Sequence, residues 1–257
     1  MDSLSNQMRK FAEDKQEQIS NLIMQESYRR EFLGNVSHEL KTPLFTVQGY
    51  LLTLADGAIK DKSIRSKYLN RANKGVDRLI AIVKDLDLIS KLETNEFDLN
   101  KKQFDIIALV REVFELLEIK AKRKKIVLRF DKSYSESIKV VADEERIEQV
   151  LINLIVNSIK YGKQWGKTEV KVSPLNNDKI KVSITDDGIG VAKEHHSRLF
   201  ERFYRVDKSR SREQGGSGLG LSIVKHIIES HNEQLYFESE EGKGATFSFT
   251  LEKFRQG

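Results

Sequence analysis

The chain has 257 residues, 39% of them hydrophobic and 32% charged, so it can build one large domain or two smaller ones. Its 44 basic and 39 acidic side chains are interspersed, which argues against a nucleic-acid partner, because such a partner needs a basic face. The absence of cysteine excludes disulfides and cysteine-zinc sites and fits a reducing compartment. No apolar run approaches the roughly 18 residues of a membrane span.

The N-terminal third predicts two long helices, over about 4–56 and 64–92, separated by Gly57 and a polar stretch. Apolar side chains recur in steps of four and three along both helices, which indicates a helical hairpin. These positions are Phe32, Val36, Leu40, Leu44, Val47, Leu51 and Leu54 in the first helix, and Ile64, Tyr68, Ala72, Val76, Leu79, Val83 and Leu86 in the second. One hairpin leaves its apolar stripes half covered, so we expect two chains to form a four-helix bundle. A hairpin that packs only on its own domain is the alternative.

The remainder of the chain mixes helical and strand-like segments after a polar linker over 95–103. Helices are predicted over 106–122, 144–161 and 218–230. Strands are predicted over 126–130, 138–141, 169–173, 179–185, 235–238 and 246–251. Asn176 lies in a turn signal that predicts a hairpin between the third and fourth strands. This order of elements predicts an α/β sandwich with helices on one face of a mixed sheet.

His38 lies in the first helix, about 200° around the helix axis from the apolar residues Val36 and Leu40. A histidine buried for structural reasons would lie on the apolar stripe, so this position favours an exposed, reactive imidazole. The adjacent Glu39 can reach the ring, and a carboxylate on one ring nitrogen leaves the other free as a nucleophile.

Thr42 lies one turn after His38 on the same face, and Pro43 follows it. A zinc protease motif on a helix would need a second histidine where Thr42 stands. Pro43 cannot donate a hydrogen bond to the carbonyl of Glu39, so the helix is predicted to bend just after the histidine.

Asn153 and Asn157 are four residues apart, so both amides project from one side of the helix predicted over 144–161. An amide oxygen is a hard ligand that suits Mg²⁺, an ion that bridges phosphates and keeps most of its own waters. Lys160 lies one turn further on and can meet phosphate charge. A pair of exposed polar residues is the plainer explanation when this pattern stands alone.

Asp186 directly follows a predicted strand and precedes Gly188 and Gly190. A carboxylate can accept a hydrogen bond from the exocyclic amine of adenine, and glycines let the backbone approach the ring closely. Asp186 and these glycines, taken with the two asparagines, therefore predict a nucleotide pocket.

A second glycine-rich stretch, with Gly216, Gly218 and Gly220, precedes a helix that begins near Leu219. Backbone amides at a helix N-terminus form a cradle for phosphate. A dinucleotide-binding fold would need a strand before these glycines, but the charged run 208–214 stands there instead. We expect that run to be a mobile lid that becomes ordered only with ATP bound.

These four signals, at 36–43, 153–161, 186–190 and 216–221, together resemble the catalytic core of a bacterial two-component sensor histidine kinase. The resemblance covers about 28–254 and implies an α+β protein. Its parts would be an N-terminal signalling helix (1–27), a dimerisation and histidine phosphotransfer domain (28–94), a linker (95–103) and an ATP-binding domain of the GHKL, or Bergerat, type (104–257).

The resemblance also implies a role for each matching residue. His38 would accept the phosphoryl group, with Glu39 and Thr42 beside it. The residues around the nucleotide would be Asn153, Asn157 (as Mg²⁺ ligand), Lys160 and Arg205 (at the terminal phosphates), Tyr161, Asp186 (at adenine), Gly188, Gly190, Gly216, Gly218, Leu219, Gly220, and Thr246 (at the base through water).

The partners that the resemblance implies are a second copy of the chain, a response-regulator receiver domain, and no nucleic acid. ATP and Mg²⁺ would be the cofactors. An upstream transmembrane sensor is also implied, which would make this chain the cytoplasmic part of a receptor anchored in the inner membrane. One departure is that two glycines often follow the histidine in the family, whereas Asn232 and Glu233 follow His231 here. Asn232 tolerates a left-handed conformation, so the turn can survive.

Two other functions compete with this interpretation, and one extends it. Gyrase-like and heat-shock-chaperone ATPases usually carry a glutamate as general base four residues before the metal-binding asparagine, but Asn153 stands at that position. A helical scaffold with a degenerate nucleotide site is disfavoured by the intact pocket motifs. A bifunctional enzyme that also dephosphorylates its partner fits Glu39 and Thr42.

Overall fold

The structure is a computed structural model that describes residues 2–93, 99–206 and 217–254. The chain divides into two compact units, Met1–Ile82 and Val83–Gly257. The predicted lid at 208–214, and Gly216 with it, lie outside the described residues.

The first unit contains the predicted helical hairpin. Helix α1 (Asp2–Ala55) is followed by a short 3₁₀ turn (Ala58–Lys60) and by α2 (Lys62–Glu93), whose last turns belong to the second unit. Gly57 adopts φ 110°, a conformation that other residues rarely accept. Asp61 starts α2, because its carboxylate accepts hydrogen bonds from the backbone N–H groups of Ser63 and Ile64.

The apolar stripes of this hairpin are only partly covered within one chain. Leu54, Ala72 and Ile82 are buried. Other members of the stripes, Leu44 and Leu51, remain 53% and 49% exposed. The hairpin therefore presents apolar side chains that its own unit does not cover.

The second unit is the predicted α/β sandwich. Its elements in chain order are β1 (Lys102–Asp105), α3 (Ile106–Lys124), β2 (Val127–Phe130), β3 (Lys139–Ala142), α4 (Glu144–Tyr161), β4 (Lys167–Pro174), β5 (Lys179–Asp186), a 3₁₀ helix (Lys193–Arg198), α5 (Gly220–Ser230), β6 (Leu235–Glu240) and β7 (Gly244–Glu252). Five strands form one sheet in the order β2-β4-β5-β7-β6, with β2 and β4 parallel and the other pairs antiparallel.

Strand β1 begins within the stretch predicted as a linker. Lys102 and Gln103 pair with Ala142 and Val141 of β3 in a separate two-stranded sheet. The polar sequence gives no alternation to reveal this strand, because the pairing is made with residues far along the chain.

Two turns predicted from asparagine residues are present in the structure. The Asn176 side-chain oxygen accepts hydrogen bonds from the backbone N–H groups of Asp178 and Lys179, at 2.9 and 2.8 Å. The β4–β5 hairpin predicted there is confirmed. Asn232 has φ 60°, so the left-handed conformation expected after His231 is also present.

The core lies between the sheet and one face of the helices. Helix α4 buries apolar residues at helical spacing, including Val150, Leu154 and Ile155. In β5, Ile180, Val182, Ile184 and Asp186 are buried, and the intervening residues are more exposed. Asp186 is therefore the polar end of an otherwise apolar, helix-facing row.

Candidate active site

The first part of the candidate site is the exposed face of α1 around His38. The His38 side chain is exposed, as its position opposite the apolar stripe predicts. The Thr42 hydroxyl donates a hydrogen bond to the backbone carbonyl of His38 at 3.2 Å. Thr46 makes the same bond to Thr42 at 2.8 Å, on the other side of the buried Pro43. Two threonine hydroxyls thus supply donors to carbonyls around the proline.

Glu39 points to the other helix of the hairpin. Its Oε2 accepts a hydrogen bond from Nη2 of Arg78, on α2, at 3.0 Å. The sequence predicted that Glu39 would reach the imidazole next to it. Arg78 was not identified from the sequence, because it lies 39 residues away and shares no motif with His38.

The second part of the candidate site lies at the end of β5, around Asp186. The side chain lies on the helix-facing side of the sheet, 8% exposed. The backbone N–H of Gly188 donates to its Oδ1 at 2.9 Å, and the backbone N–H of Ala245 also donates to the carboxylate. Burial raises the pKa of Asp186 to about 6, although these two hydrogen bonds oppose the shift. The carboxyl is thus held in place with an unusually high proton affinity.

Gly188 and Gly190 are required where the backbone approaches other strands and helices. A Cβ at Gly188 would lie 2.4 Å from the carbonyl oxygen of Tyr161, at the end of α4. The next residue, Ile189, donates its N–H to that same oxygen at 3.2 Å. Gly190 has φ +65°, and a Cβ added there would lie 2.1 Å from the carbonyl oxygen of Glu240. These contacts attach the loop after Asp186 to the end of α4 and to the end of β6.

Helix α4 presents its polar face beside this loop. Asn153, Asn157 and Lys160 are all half-buried, as residues on one side of the helix. The ammonium of Lys160 lies 4.9 Å from the ring centroid of Tyr161. Burial lowers the pKa of Lys120 on α3, and the charge of Lys160 adds to this effect.

Gly218, in the second glycine-rich stretch, packs against Phe203. Gly218 has φ +77°, and a Cβ there would lie 2.8 Å from the Cα of Phe203. The backbone N–H of Phe203 donates to the carbonyl of Gly218 at 2.9 Å. Leu219 is buried, and a Cβ at Gly220 would lie 3.3 Å from Oδ1 of Asn153. The start of α5 therefore adjoins the amide face of α4.

Arg205 is half-buried and directly precedes the last described residue of this stretch, Val206. Ser217, on the other side of the undescribed segment, donates its hydroxyl to Oδ2 of Asp85 at 2.8 Å. Burial raises the pKa of Asp85, and this hydrogen bond acts in the opposite direction. The last turns of α2 and the glycine-rich stretch are thus joined within the second unit.

Comparisons with known proteins identify two families along the chain. Residues 28–95 match the family of the His Kinase A (phospho-acceptor) domain, and residues 142–255 match the histidine kinase-, DNA gyrase B- and HSP90-like ATPase family. The histidine kinase AdeS of Acinetobacter baumannii is 31% identical, with a TM-score of 0.67 over 84% of this chain and 97% of that one. The chain belongs to the histidine kinase family.

Two further histidine kinases are similar to this chain. The sensor histidine kinase WalK of Bacillus subtilis (strain 168) is 36% identical over 225 residues, which is 87% of this chain and 36% of WalK. This chain therefore spans about a third of that relative. The histidine kinase ThkA, solved in complex with the response regulator protein TrrA, is 26% identical with a TM-score of 0.68, over 87% of this chain and 61% of that one.

Thr246 of this histidine kinase, predicted to act at the base through water, is not the residue of β7 that pairs with Asp186. It pairs with Thr185 across β5 and β7, and the two hydroxyls are 3.0 Å apart. Successive side chains of a strand point to opposite faces, so Thr185 and Thr246 share the face opposite to that of Asp186. The residue paired with Asp186 is Ala245, and its backbone N–H reaches the carboxylate. This register disfavours a role for Thr246 at the base, and that role stays a prediction.

A cleft of about 310 Å³ lies at the same end of the sheet. Its lining includes Asp186 and Ala245. Thr185, Thr246 and Glu238 also line it, and Glu238 pairs with Thr246. These three side chains share the sheet face opposite α4. The cleft therefore adjoins Asp186 and extends over the face of the sheet opposite α4.

No helix among the described residues is both long enough and apolar enough to cross a membrane.

Proposed function

We propose that the chain transfers the γ-phosphoryl group of ATP to His38 and then passes it to an aspartate of a response-regulator receiver domain. The observation that carries this proposal is the exposed His38 on α1, in a chain whose second unit buries Asp186 just before a loop that packs on the end of α4. Membership of the histidine kinase family supports it, as does the TrrA complex of the similar kinase ThkA.

Asp186 and the loop after it would bind the adenine end of ATP. The buried carboxylate would accept the exocyclic amine, and Gly188 lets the loop lie against α4. Lys160, Arg205 and the backbone around Gly218 and Gly220 would meet the phosphates. The start of α5 adds its N-terminal amides and its dipole there.

Asn157 would hold Mg²⁺, with Asn153 one turn before it. Their half-buried amide face adjoins Gly220, where a Cβ would approach Oδ1 of Asn153 to 3.3 Å, so the residues present fit a small hydrated ion. When bound, Mg²⁺ neutralises phosphate charge and orients the γ-phosphoryl group. Within the described ranges no group of three or more His, Asp and Glu side chains could hold a metal, so the phosphates would have to complete the ligand set.

The transfer to His38 needs one unprotonated ring nitrogen. Its lone pair attacks the γ-phosphorus, and the bond to the β–γ bridging oxygen breaks with its electron pair leaving on ADP. The proton on the other ring nitrogen leaves to a base, for which Glu39 is the adjacent candidate. In the second step a carboxylate oxygen of the regulator attacks the phosphorus, and the N–P bond breaks with its electron pair returning to the imidazole.

A homodimer would complete the helical hairpin. The half-exposed Leu44 and Leu51 on α1, and Val76 on α2, which is 42% exposed, would be covered by a second copy in a four-helix bundle. The domain bounds at 28–94 and 104–257 and the cytoplasmic placement below a membrane sensor stay predictions.

A phosphatase activity on the phosphorylated regulator is a second proposed function of the same face. The specific observation that favours it is the exposed Thr42, one turn from His38, with a hydroxyl that can hold water.

The test is incubation of the purified chain with γ-labelled ATP and Mg²⁺, followed by acid and base treatment. A label on histidine is lost in acid and kept in base, unlike a serine ester. His38→Ala should take up no label while it binds ATP as the parent chain does, because Asp186 and its pocket are unchanged. Label retained on His38→Ala would overturn the assignment of the acceptor.

A further inference from the structure

The acidic neighbour of His38 is held by a residue of the other helix. Arg78 Nη2 lies 3.0 Å from Oε2 of Glu39, with the two side chains 22% and 16% exposed. This contact connects the face that carries His38 to α2, although Glu39 and Arg78 are 39 residues apart in sequence.

Burial distinguishes this ion pair from the pairs that lie within single helices. The pairs Arg30–Glu26, Lys91–Asp87 and Lys122–Glu118 lie within single helices and have side chains 58–79% exposed. Exposed ion pairs of that kind contribute little to stability, since water screens their charges. A carboxylate as covered as that of Glu39 is costly to leave without a cation, so Arg78 allows Glu39 to point into the hairpin.

The geometry of the pair is not the one that would bind a carboxylate most tightly. Arginine binds carboxylates best through two parallel N–H bonds, but the pair here joins Nη2 to a single oxygen of Glu39. The Nε of Arg78 is buried and, among the described residues, donates to no acceptor. A buried donor without an acceptor is unfavourable, so the arrangement is poorly explained as a device for stability alone.

We propose that Arg78 is a positioning residue for the phosphorylation of His38, acting through Glu39. A carboxylate has about four lone-pair sites, so Glu39 can accept from Arg78 and from the ring N–H of His38 together. Arg78 fixes the carboxylate at the start of the turn that contains Pro43, and Glu39 in turn orients the imidazole and receives its proton. This role rests on the proposed function of His38.

A purely structural role makes a different prediction. If Arg78 only joins α1 to α2, its removal weakens the hairpin whether or not residue 39 carries a charge. If it acts through Glu39, its removal has no further effect on the rate once Glu39 is gone. The double-mutant comparison separates the two, because coupling between the residues appears as non-additivity.

The experiment measures the initial rate of His38 labelling against ATP concentration for the full chain and five variants. The variants are Arg78→Gln, Arg78→Lys, Glu39→Gln, the double variant Arg78→Gln/Glu39→Gln, and Lys74→Gln. Lys74 is an exposed cation one turn before Arg78 on α2, so it is the matched control for charge. Circular dichroism and light scattering report the fold and the oligomeric state of each variant.

We expect Arg78→Gln to lower kcat by about tenfold, as a misplaced catalytic group does, with the KM for ATP unchanged because Asp186 is untouched. Arg78→Lys should recover part of the rate, and Lys74→Gln should match the parent chain. The double variant should be no slower than Glu39→Gln alone. The proposal would be overturned if Arg78→Gln lowered kcat by the same factor in the parent chain and in the Glu39→Gln variant. It would also be overturned if the loss of kcat followed a lower melting temperature. Absence of acid-labile label on the parent chain would instead refute the proposed function.

Discussion

The imidazole of His231 accepts a hydrogen bond from the backbone N–H of Asp143, through Nε2, at 3.0 Å. Its Nδ1 lies 2.8 Å from the carbonyl oxygen of Ile227. Because Nε2 must be an acceptor, Nδ1 carries the proton and donates to Ile227. One neutral ring thus joins the end of α5 to the residue that caps α4, whose polar face carries the candidate Mg²⁺ ligand.

Protonation of His231 should therefore loosen the second unit. Burial lowers the pKa of this histidine below its usual 6.5, although the bond to Ile227 opposes the shift. The folded chain then binds fewer protons than the unfolded chain, so its stability is complete above about pH 6.5 and falls as the pH drops below that value. Thermal unfolding of the parent chain between pH 7.5 and 5.5 should show this loss.

The variant His231→Ala serves as the control for that measurement. It leaves the N–H of Asp143 without an acceptor, which should cost about 1–3 kcal/mol at neutral pH. It should also remove part of the decline between pH 6.5 and 5.5. An identical pH dependence in the variant would assign the decline to other groups.

Asp186→Asn should weaken ATP binding. An amide can present its NH₂ to the adenine amine, and the loss of one hydrogen bond to a charged group costs about 1.5–3 kcal/mol, or roughly 10- to 150-fold in Kd. Isothermal titration measures the change. An unchanged Kd would show that Asp186 does not bind the base.

The same carboxyl predicts a pH dependence of nucleotide affinity. Its pKa is raised to about 6, and acceptance of the adenine amine requires the deprotonated form. The affinity of the parent chain for ATP should thus fall as the pH drops through about 6, beyond the change expected from the phosphates. The difference in ATP affinity between the parent chain and Asp186→Asn should become smaller over the same pH interval. A constant ratio of the two affinities from pH 7.5 to 5.5 would contradict this.

The elements that the sequence predicts well are those with strong local patterns. The heptad-like stripes of α1 and α2, the asparagine turn before β5 and the exposed position of His38 depend only on spacing along one element. The partners of Glu39, Asp143 and Asp186 depend instead on which elements meet, and no local pattern contains Arg78, His231 or the N–H of Ala245. The face on which Thr246 lies could not be predicted for a related reason, since a shift of one residue in a strand exchanges the faces of the sheet.

The first residue of the catalytic domain is also difficult to predict from local patterns, because it depends on contacts with distant residues. Asn100 donates its backbone N–H to Oδ2 of Asp143 at 3.0 Å, and Lys102 and Gln103 belong to β1. A catalytic fragment that begins at residue 99 should therefore melt at a higher temperature than one that begins at 104. Both should be monomeric by light scattering.

A fragment of residues 1–95 should dimerise in the same measurement, because Leu44 and Leu51 stay half-exposed in a single hairpin. The variant Leu44→Glu should prevent this dimerisation, since it places a charge on the uncovered apolar stripe. A monomeric 1–95 fragment would contradict the four-helix bundle.

Thr42→Ala should preserve labelling of His38 but slow the loss of phosphate from the partner regulator. The hydroxyl lies one turn from His38 on an exposed face, where it can hold a water against the regulator's phosphoaspartate. It is not needed for attack on ATP, because the imidazole is itself the nucleophile. The assay follows decay of the phosphorylated regulator with ADP and either kinase present.

The alternative is that Thr42 matters only for the helix, because its hydroxyl donates to the carbonyl of His38 at 3.2 Å. Thr46→Ala is the control for this effect, since Thr46 makes the same type of bond to the carbonyl of Thr42 at 2.8 Å and is also exposed. If the hydroxyl of Thr42 acts on water, only Thr42→Ala slows the decay. Equal decay with all three proteins would remove Thr42 from the phosphatase reaction, and equal slowing by both variants would assign the effect to the helix around Pro43.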